Sequence, residues 1–131
     1  MTQPRNTPTP KPTEGELSIL AVLWDRGPST VRQVFEVLSR ERDLGYTTVL
    51  KMLQIMQEKG LVERDESERT HVYRARESAD ATQATLVDDL MARAFGGSAM
   101  KLVMHALASK KATKEELAEI RKLLEANHER A

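Results

Sequence analysis

Six stretches of the chain place apolar residues three and four apart, as amphipathic helices do. Two short runs suited to strands lie between the third and the fourth of these stretches. The first helix is expected to open at Thr13-Glu14-Gly15-Glu16, where Thr13 and Glu16 can satisfy each other as a capping box. Its apolar face is Leu17, Leu20, Ala21 and Trp24, widened by Leu23, and Trp24 is expected in the core. Gly27-Pro28 breaks this helix. Ser29 is placed to cap the second, whose inward side is Val31, Val34, Phe35 and Leu38. A charged connection from Arg40 to Gly45 leads to the third helix, expected to run from Thr47 as N-cap to Gly60 just beyond its end. Lys59 sits in its last turn, where a cation suits the helix dipole. Val49, Met52, Leu53 and Met56 form its buried stripe.

That stripe leaves Thr47, Thr48, Lys51 and Gln54 on the outer side of the third helix. These side chains carry the donors and acceptors that suit base edges and phosphates, although an ordinary solvated helix face has the same composition. After Gly60, Leu61 to Asp65 and Thr70 to Ala75 read as two strands joined by a polar turn over Glu66-Ser67-Glu68-Arg69. Three short helices followed by a hairpin is the order of a winged helix, in which the hairpin is the wing. Arg69 at the wing tip and Arg64 on its first strand are placed to meet phosphates, or to pair with neighbouring carboxylates.

The last three helical stretches are Ala81 to Phe95, Ser98 to Ser109, and one opened by a second capping box at Thr113-Lys114-Glu115-Glu116. Gly96-Gly97 separates the first two and reads as a helix stop. Leu86, Leu90, Met100, Val103, Leu107, Leu117, Ile120 and Leu124 lie on their apolar sides, which three short helices cannot cover among themselves. A twofold partner presenting the same surface would supply the cover, so a homodimer interface is expected there.

Composition narrows the function. Twenty basic and twenty acidic residues give a formal net charge of zero, so any nucleic-acid partner must be met by locally placed charge. There is no cysteine, which excludes disulfides and thiolate metal sites and is compatible with a reducing compartment. The apolar runs are too short for a membrane span and no signal-peptide core is seen, so a soluble, cytoplasmic protein is expected. His71, His105 and His128 lack the spacing of a metal-binding pair. No phosphate loop, HExxH pattern or nucleophile elbow occurs, and neither catalysis, a metal nor a cofactor is expected. Residues 1–12 hold four of the five prolines and read as a disordered arm. Residues 13–76 read as the winged helix and 77–131 as a helical dimerisation region, giving a mainly α protein with a two-stranded wing.

Four segments together resemble the penicillinase-repressor (BlaI/MecI/CopY-type) family of bacterial transcriptional regulators. They are the run from Thr13 to Trp24, Tyr46-Thr47-Thr48-Val49, Glu58-Lys59-Gly60-Leu61-Val62 and His71-Val72-Tyr73, and the similarity extends from about Thr13 to about His128. The resemblance implies a homodimeric winged-helix repressor whose third helix reads the major groove of a palindromic double-stranded operator. It places Thr47, Thr48 and Lys51 at the DNA, Arg69 on the wing, and the dimer in the C-terminal helices. Lys51 stands where many members have threonine and Ile55 where many have arginine, so no operator sequence transfers. Members cut by a sensor protease carry an Asn-Phe bond between C-terminal helices, and copper-responsive members carry C-terminal cysteines. This chain has neither, so an upstream sensor or protease is left undefined. Two other readings stand beside this one: a winged-helix regulator that answers to a small molecule, and a winged helix used only to bind protein.

Overall fold

The computed structural model describes residues 11–109 and 112–130, and the arm expected over residues 1–12 lies outside them except for Lys11 and Pro12. The elements in order are α1 (Glu14–Arg26), β1 (Ser29–Thr30), α2 (Val31–Leu38), α3 (Tyr46–Lys59), β2 (Val62–Asp65), β3 (Val72–Ala75), α4 (Ala79–Ala94), α5 (Ala99–Ser109) and α6 (Lys114–Arg130). The chain divides into two compact units, one reaching Leu86 and the other beginning at Val87.

In the first unit α1 packs on α2, α3 and β3, and α2 packs on α3. The core is Ile19, Leu20 and Leu23 from α1, Val34 and Leu38 from α2, Val49, Leu53 and Met56 from α3, and Val62 and Tyr73 from the sheet. The sheet has three antiparallel strands in the order β1-β3-β2, with Arg64 opposite Tyr73 on one side of β3 and Ser29 opposite Tyr73 on the other. The expected two-stranded wing is therefore a hairpin to which Ser29 and Thr30 add a short third strand.

Local signals account for most helix ends. Thr13 and Glu16 form the expected capping box, the Glu16 amide donating to Thr13 Oγ1 at 3.2 Å and the Thr13 amide to Glu16 Oε1 at 2.9 Å. Gly60 closes α3 with φ +85°, a conformation that side-chain-bearing residues resist.

Three expectations need correction. The cap of α3 is Gly45, with no side-chain bond, and Thr47 is inside the helix; Tyr46 packs edge-on against Phe35 and carries the helix start back to itself. The cap of α2 is Thr30, boxed with Gln33, because Ser29 is drawn into the sheet, where its hydroxyl donates to the Gly27 carbonyl at 2.8 Å. On α1 the buried side is Glu16, Ile19, Leu20, Val22 and Leu23, while Ala21 is exposed and Leu17 and Trp24 are half-buried. Residues 17–24 are apolar almost without a break, so spacing alone could not choose the inward side. Trp24 sits at the edge of the core, its indole N–H donating to the Glu77 carbonyl at 2.9 Å.

In the second unit, Gly96 and Gly97 both take positive φ, and the Gly97 amide donates to the Met91 carbonyl at 2.9 Å, which makes the pair the expected helix stop. The Phe95 and His105 rings lie 5.6 Å apart, joining the end of α4 to α5. Thr113 and Glu116 form the expected second capping box, with bonds of 2.9 and 3.0 Å.

One buried charge ties α1 to α3. Glu16 is only 5 % exposed, and its Oε2 accepts from Lys59 Nζ at 2.8 Å. Burial pushes the Glu16 carboxyl up, but the Lys59 ammonium and the Thr13 amide outweigh this and hold it below its ordinary value of 4.5. A carboxyl lowered by folding adds stability above its ordinary pKa and loses that contribution as pH falls through the depressed value. In urea unfolding followed by Trp24 fluorescence, the advantage of wild type over Glu16→Gln should be full at pH 7 and shrink as pH falls below 4.5. Lys59→Met, which strands the carboxylate, should cost about 1–3 kcal/mol at pH 7 and less in acid. A wild-type advantage independent of pH would overturn this account of the pair.

Candidate nucleic-acid interface

The inner side of α3 is fully committed to the core: Val49, Leu53 and Met56 have no exposed surface, and Met52 is packed against them. Helical geometry then leaves one direction for the remaining residues. Thr47, Thr48, Lys51, Gln54, Ile55 and Glu58 are all exposed. Thr47, Lys51, Gln54 and Glu58 follow one another at spacings of four, three and four, which makes a continuous polar ridge along the helix. Lys51 makes no ion pair among the described residues, so its ammonium is not neutralised by the fold.

At the head of this ridge stands a cluster that the pattern of apolar positions does not show. The Tyr46 ring meets Phe35 of α2 edge-on, with centroids 5.8 Å apart, and the Arg32 guanidinium lies 5.3 Å from the centre of the same ring. Arg32 is exposed and Tyr46 partly so. This contact fixes the start of α3 against α2 and keeps a cation beside it. The signal available in the sequence was an aromatic residue outside the apolar stripe, directly before the two threonines.

The hairpin sorts its arginines. Arg64 is taken by Glu66, its Nε lying 2.6 Å from Glu66 Oε2, and by the hydroxyl of Tyr73, its cross-strand neighbour; these two partners raise its pKa further, the Tyr73 bond most. Arg74 donates to Glu63 at 2.6 Å, and Arg76 lies 4.0 Å from the same carboxylate. Arg69 lies in the exposed turn between β2 and β3 and has no ion-pair partner among the described residues. The turn is shaped by Asp65, whose Oδ1 accepts from the Ser67 amide at 2.9 Å, a bond that also lowers the Asp65 pKa. Of the two wing arginines singled out in the sequence, Arg64 is paired within the hairpin and Arg69 makes no ion pair among the described residues.

Four of the five residues expected at a nucleic acid, Thr47, Thr48, Lys51 and Gln54, thus share the outer side of one helix, and Arg69 stands on another element of the same unit. The residues expected at a dimer interface are poorly covered. Met100 and Leu124 are 67 % and 61 % exposed; Leu90, Val103, Leu107 and Leu117 are also exposed, and Leu86 and Ile120 are half-buried. Among the described residues no group of side chains could hold a metal ion, and no helix is long and apolar enough to cross a membrane.

Comparison with known proteins agrees with this architecture. The profile of the penicillinase repressor family matches residues 12–126. The transcriptional regulator BlaI of Mycobacterium tuberculosis is 40 % identical over 92 residues, which is 69 % of this chain and 67 % of that protein. The solution structure of the DNA binding domain of the repressor BlaI superposes with a TM-score of 0.50 at 22 % identity, covering 55 % of this chain and 88 % of that one. A MarR family protein from Bacillus stearothermophilus covers 97 % of this chain and 78 % of its own, with a TM-score of 0.53 at 18 % identity. The structural likenesses establish a winged-helix fold, and the family match spans almost all the described residues. The chain belongs to the penicillinase-repressor family of transcriptional regulators.

Proposed function

We propose that the protein is a cytoplasmic transcriptional repressor that binds a palindromic operator as a homodimer, with α3 in the major groove and the β2–β3 turn on the phosphate backbone. The observation that carries this reading is the outer side of α3, where Thr47, Thr48, Lys51 and Gln54 are exposed and Lys51 makes no ion pair among the described residues. A lysine and an amide on a helix face match the acceptors and donors at base edges, and threonine suits either. Further support comes from the Bacillus licheniformis BlaI monomer solved in complex with the blaP half-operator, with which this chain shares its fold at a TM-score of 0.50. Zero net charge leaves attraction to DNA to cations placed locally, such as Lys51 and Arg69.

The exposed apolar side chains from Leu90 to Leu124 support pairing of two chains through residues 77–131, with the half-buried Leu86 and Ile120 as further members of that interface. One winged helix meets only a short half-site. Joining two makes the second contact intramolecular and can add roughly 10²–10⁴ to affinity when the spacing fits.

Three measurements test the scheme. Lys51→Ala should cost on the order of 1–3 kcal/mol at the selected operator if Lys51 reads a base, and weaken all sequences alike if it meets phosphate. Unchanged operator affinity would remove α3 from the interface. Arg69→Ala should weaken specific and non-specific binding together and reduce the salt slope by about one unit; a loss confined to one base pair would assign the wing to sequence readout. Leu124→Asp places a charge in the apolar surface at a position where the single chain does not need the leucine. It should shift sedimentation from dimer to monomer and weaken operator binding in parallel. A full-length protein that sediments as a monomer and still binds its operator tightly would overturn the dimer.

A further inference from the structure

Among the described residues up to Leu86, the exposed large hydrophobic side chains are Tyr46 and Ile55, both on α3. Tyr46 is accounted for by Phe35 and Arg32. Ile55 is 39 % exposed and stands outside both the core cluster and the side chains packed on it. A β-branched residue there does not favour the helix, and burial in the core gives it no role. A single exposed aliphatic residue is ordinary on a protein surface. The neighbours of Ile55 set it apart: it lies four residues after Lys51 and seven after Thr48, on one stripe of the exposed side, next to Gln54.

The floor of the major groove presents one apolar group, the 5-methyl of thymine. We propose that Ile55 is a specificity-determining residue that packs against a thymine 5-methyl in each operator half-site. This rests on the proposed reading of DNA by α3 and extends it from hydrogen bonding to apolar contact. Covering one methyl group is worth roughly a fourfold change in affinity. Such a contact discriminates thymine from cytosine and from uracil without a hydrogen bond.

Deoxyuridine differs from thymidine by that methyl alone and supplies the test. The full-length protein is used to enrich its preferred duplex from a randomised library. That duplex is then resynthesised with deoxyuridine in place of thymidine, one position at a time. At one thymine in each half-site, the replacement should weaken binding roughly three- to tenfold. Ile55→Ala should bind the thymine duplex more weakly by a similar factor and no longer distinguish the two bases there, while Thr48→Ser should still distinguish them. The proposal is overturned if no replacement matters, if the distinction survives in Ile55→Ala, or if it disappears in Thr48→Ser, which would assign the methyl to the threonine. Enrichment of no sequence at all would instead overturn operator reading by α3 and the Ile55 contact with it.

Discussion

Complete burial of Val49, Leu53 and Met56 is the constraint on which the first unit depends. These residues hold α3 against α1, α2 and β2, and Met52 adds a fourth side chain to the stripe. A helix pinned along that line cannot rotate without exposing apolar surface, so the direction of its polar ridge follows from its core packing. Gly60 in the left-handed conformation ends the helix, and Val62 and Tyr73 then bring the hairpin back onto the same core. The polar ridge of α3 and the hairpin are thus two consequences of one packing arrangement. The pair of the buried Glu16 carboxylate with the partly exposed Lys59 ammonium fastens the far end of α3 to the start of α1, joining a helix cap to an ion pair through one carboxylate.

Electrostatics act here by local selection. With equal numbers of acidic and basic residues, the chain has no overall field with which to steer DNA. Glu63 and Glu66 occupy three of the arginines on and beside the hairpin strands, and Lys59 is occupied by Glu16. Among the described residues, Lys51 on α3 and Arg69 in the β2–β3 turn make no ion pair. In the proposed reading, the carboxylates on the hairpin have a role besides solubility: they keep the strand arginines in the fold and leave contact with phosphate to the turn.

The two units distribute apolar surface in opposite ways. In the first, the exposed large hydrophobic side chains among the described residues are Tyr46 and Ile55. The second leaves leucine, valine and methionine exposed along α4, α5 and α6. Short helices joined by the Gly96-Gly97 stop have little of one another to bury, which in the proposed reading leaves their apolar sides for a second copy of the chain. In the proposed reading, a self-complementary surface is the simplest cover, because it also holds two α3 helices at a fixed spacing.

The order of helices and strands was legible in the sequence because its signals are local. The Thr13–Glu16 and Thr113–Glu116 boxes, Gly60, the glycine pair and the three-and-four spacing of α2 and α3 each act within a turn or two of the chain. The polar side of α3 was legible for the same reason, since Val49, Leu53 and Met56 leave it only one place to be. What depended on distant partners was decided by tertiary structure. Which side of the nearly continuous apolar run in α1 turned inward awaited α2, α3 and β3. The start of α3 moved back to Tyr46 because Phe35, eleven residues earlier, offered its ring. Ser29 gave up the helix cap because Tyr73 paired with it across the sheet. The choice of Arg69 over Arg64 as the available cation belongs to the same class: both are arginines beside glutamates in sequence, and only the folded hairpin sets Arg64 between Tyr73 and Glu66.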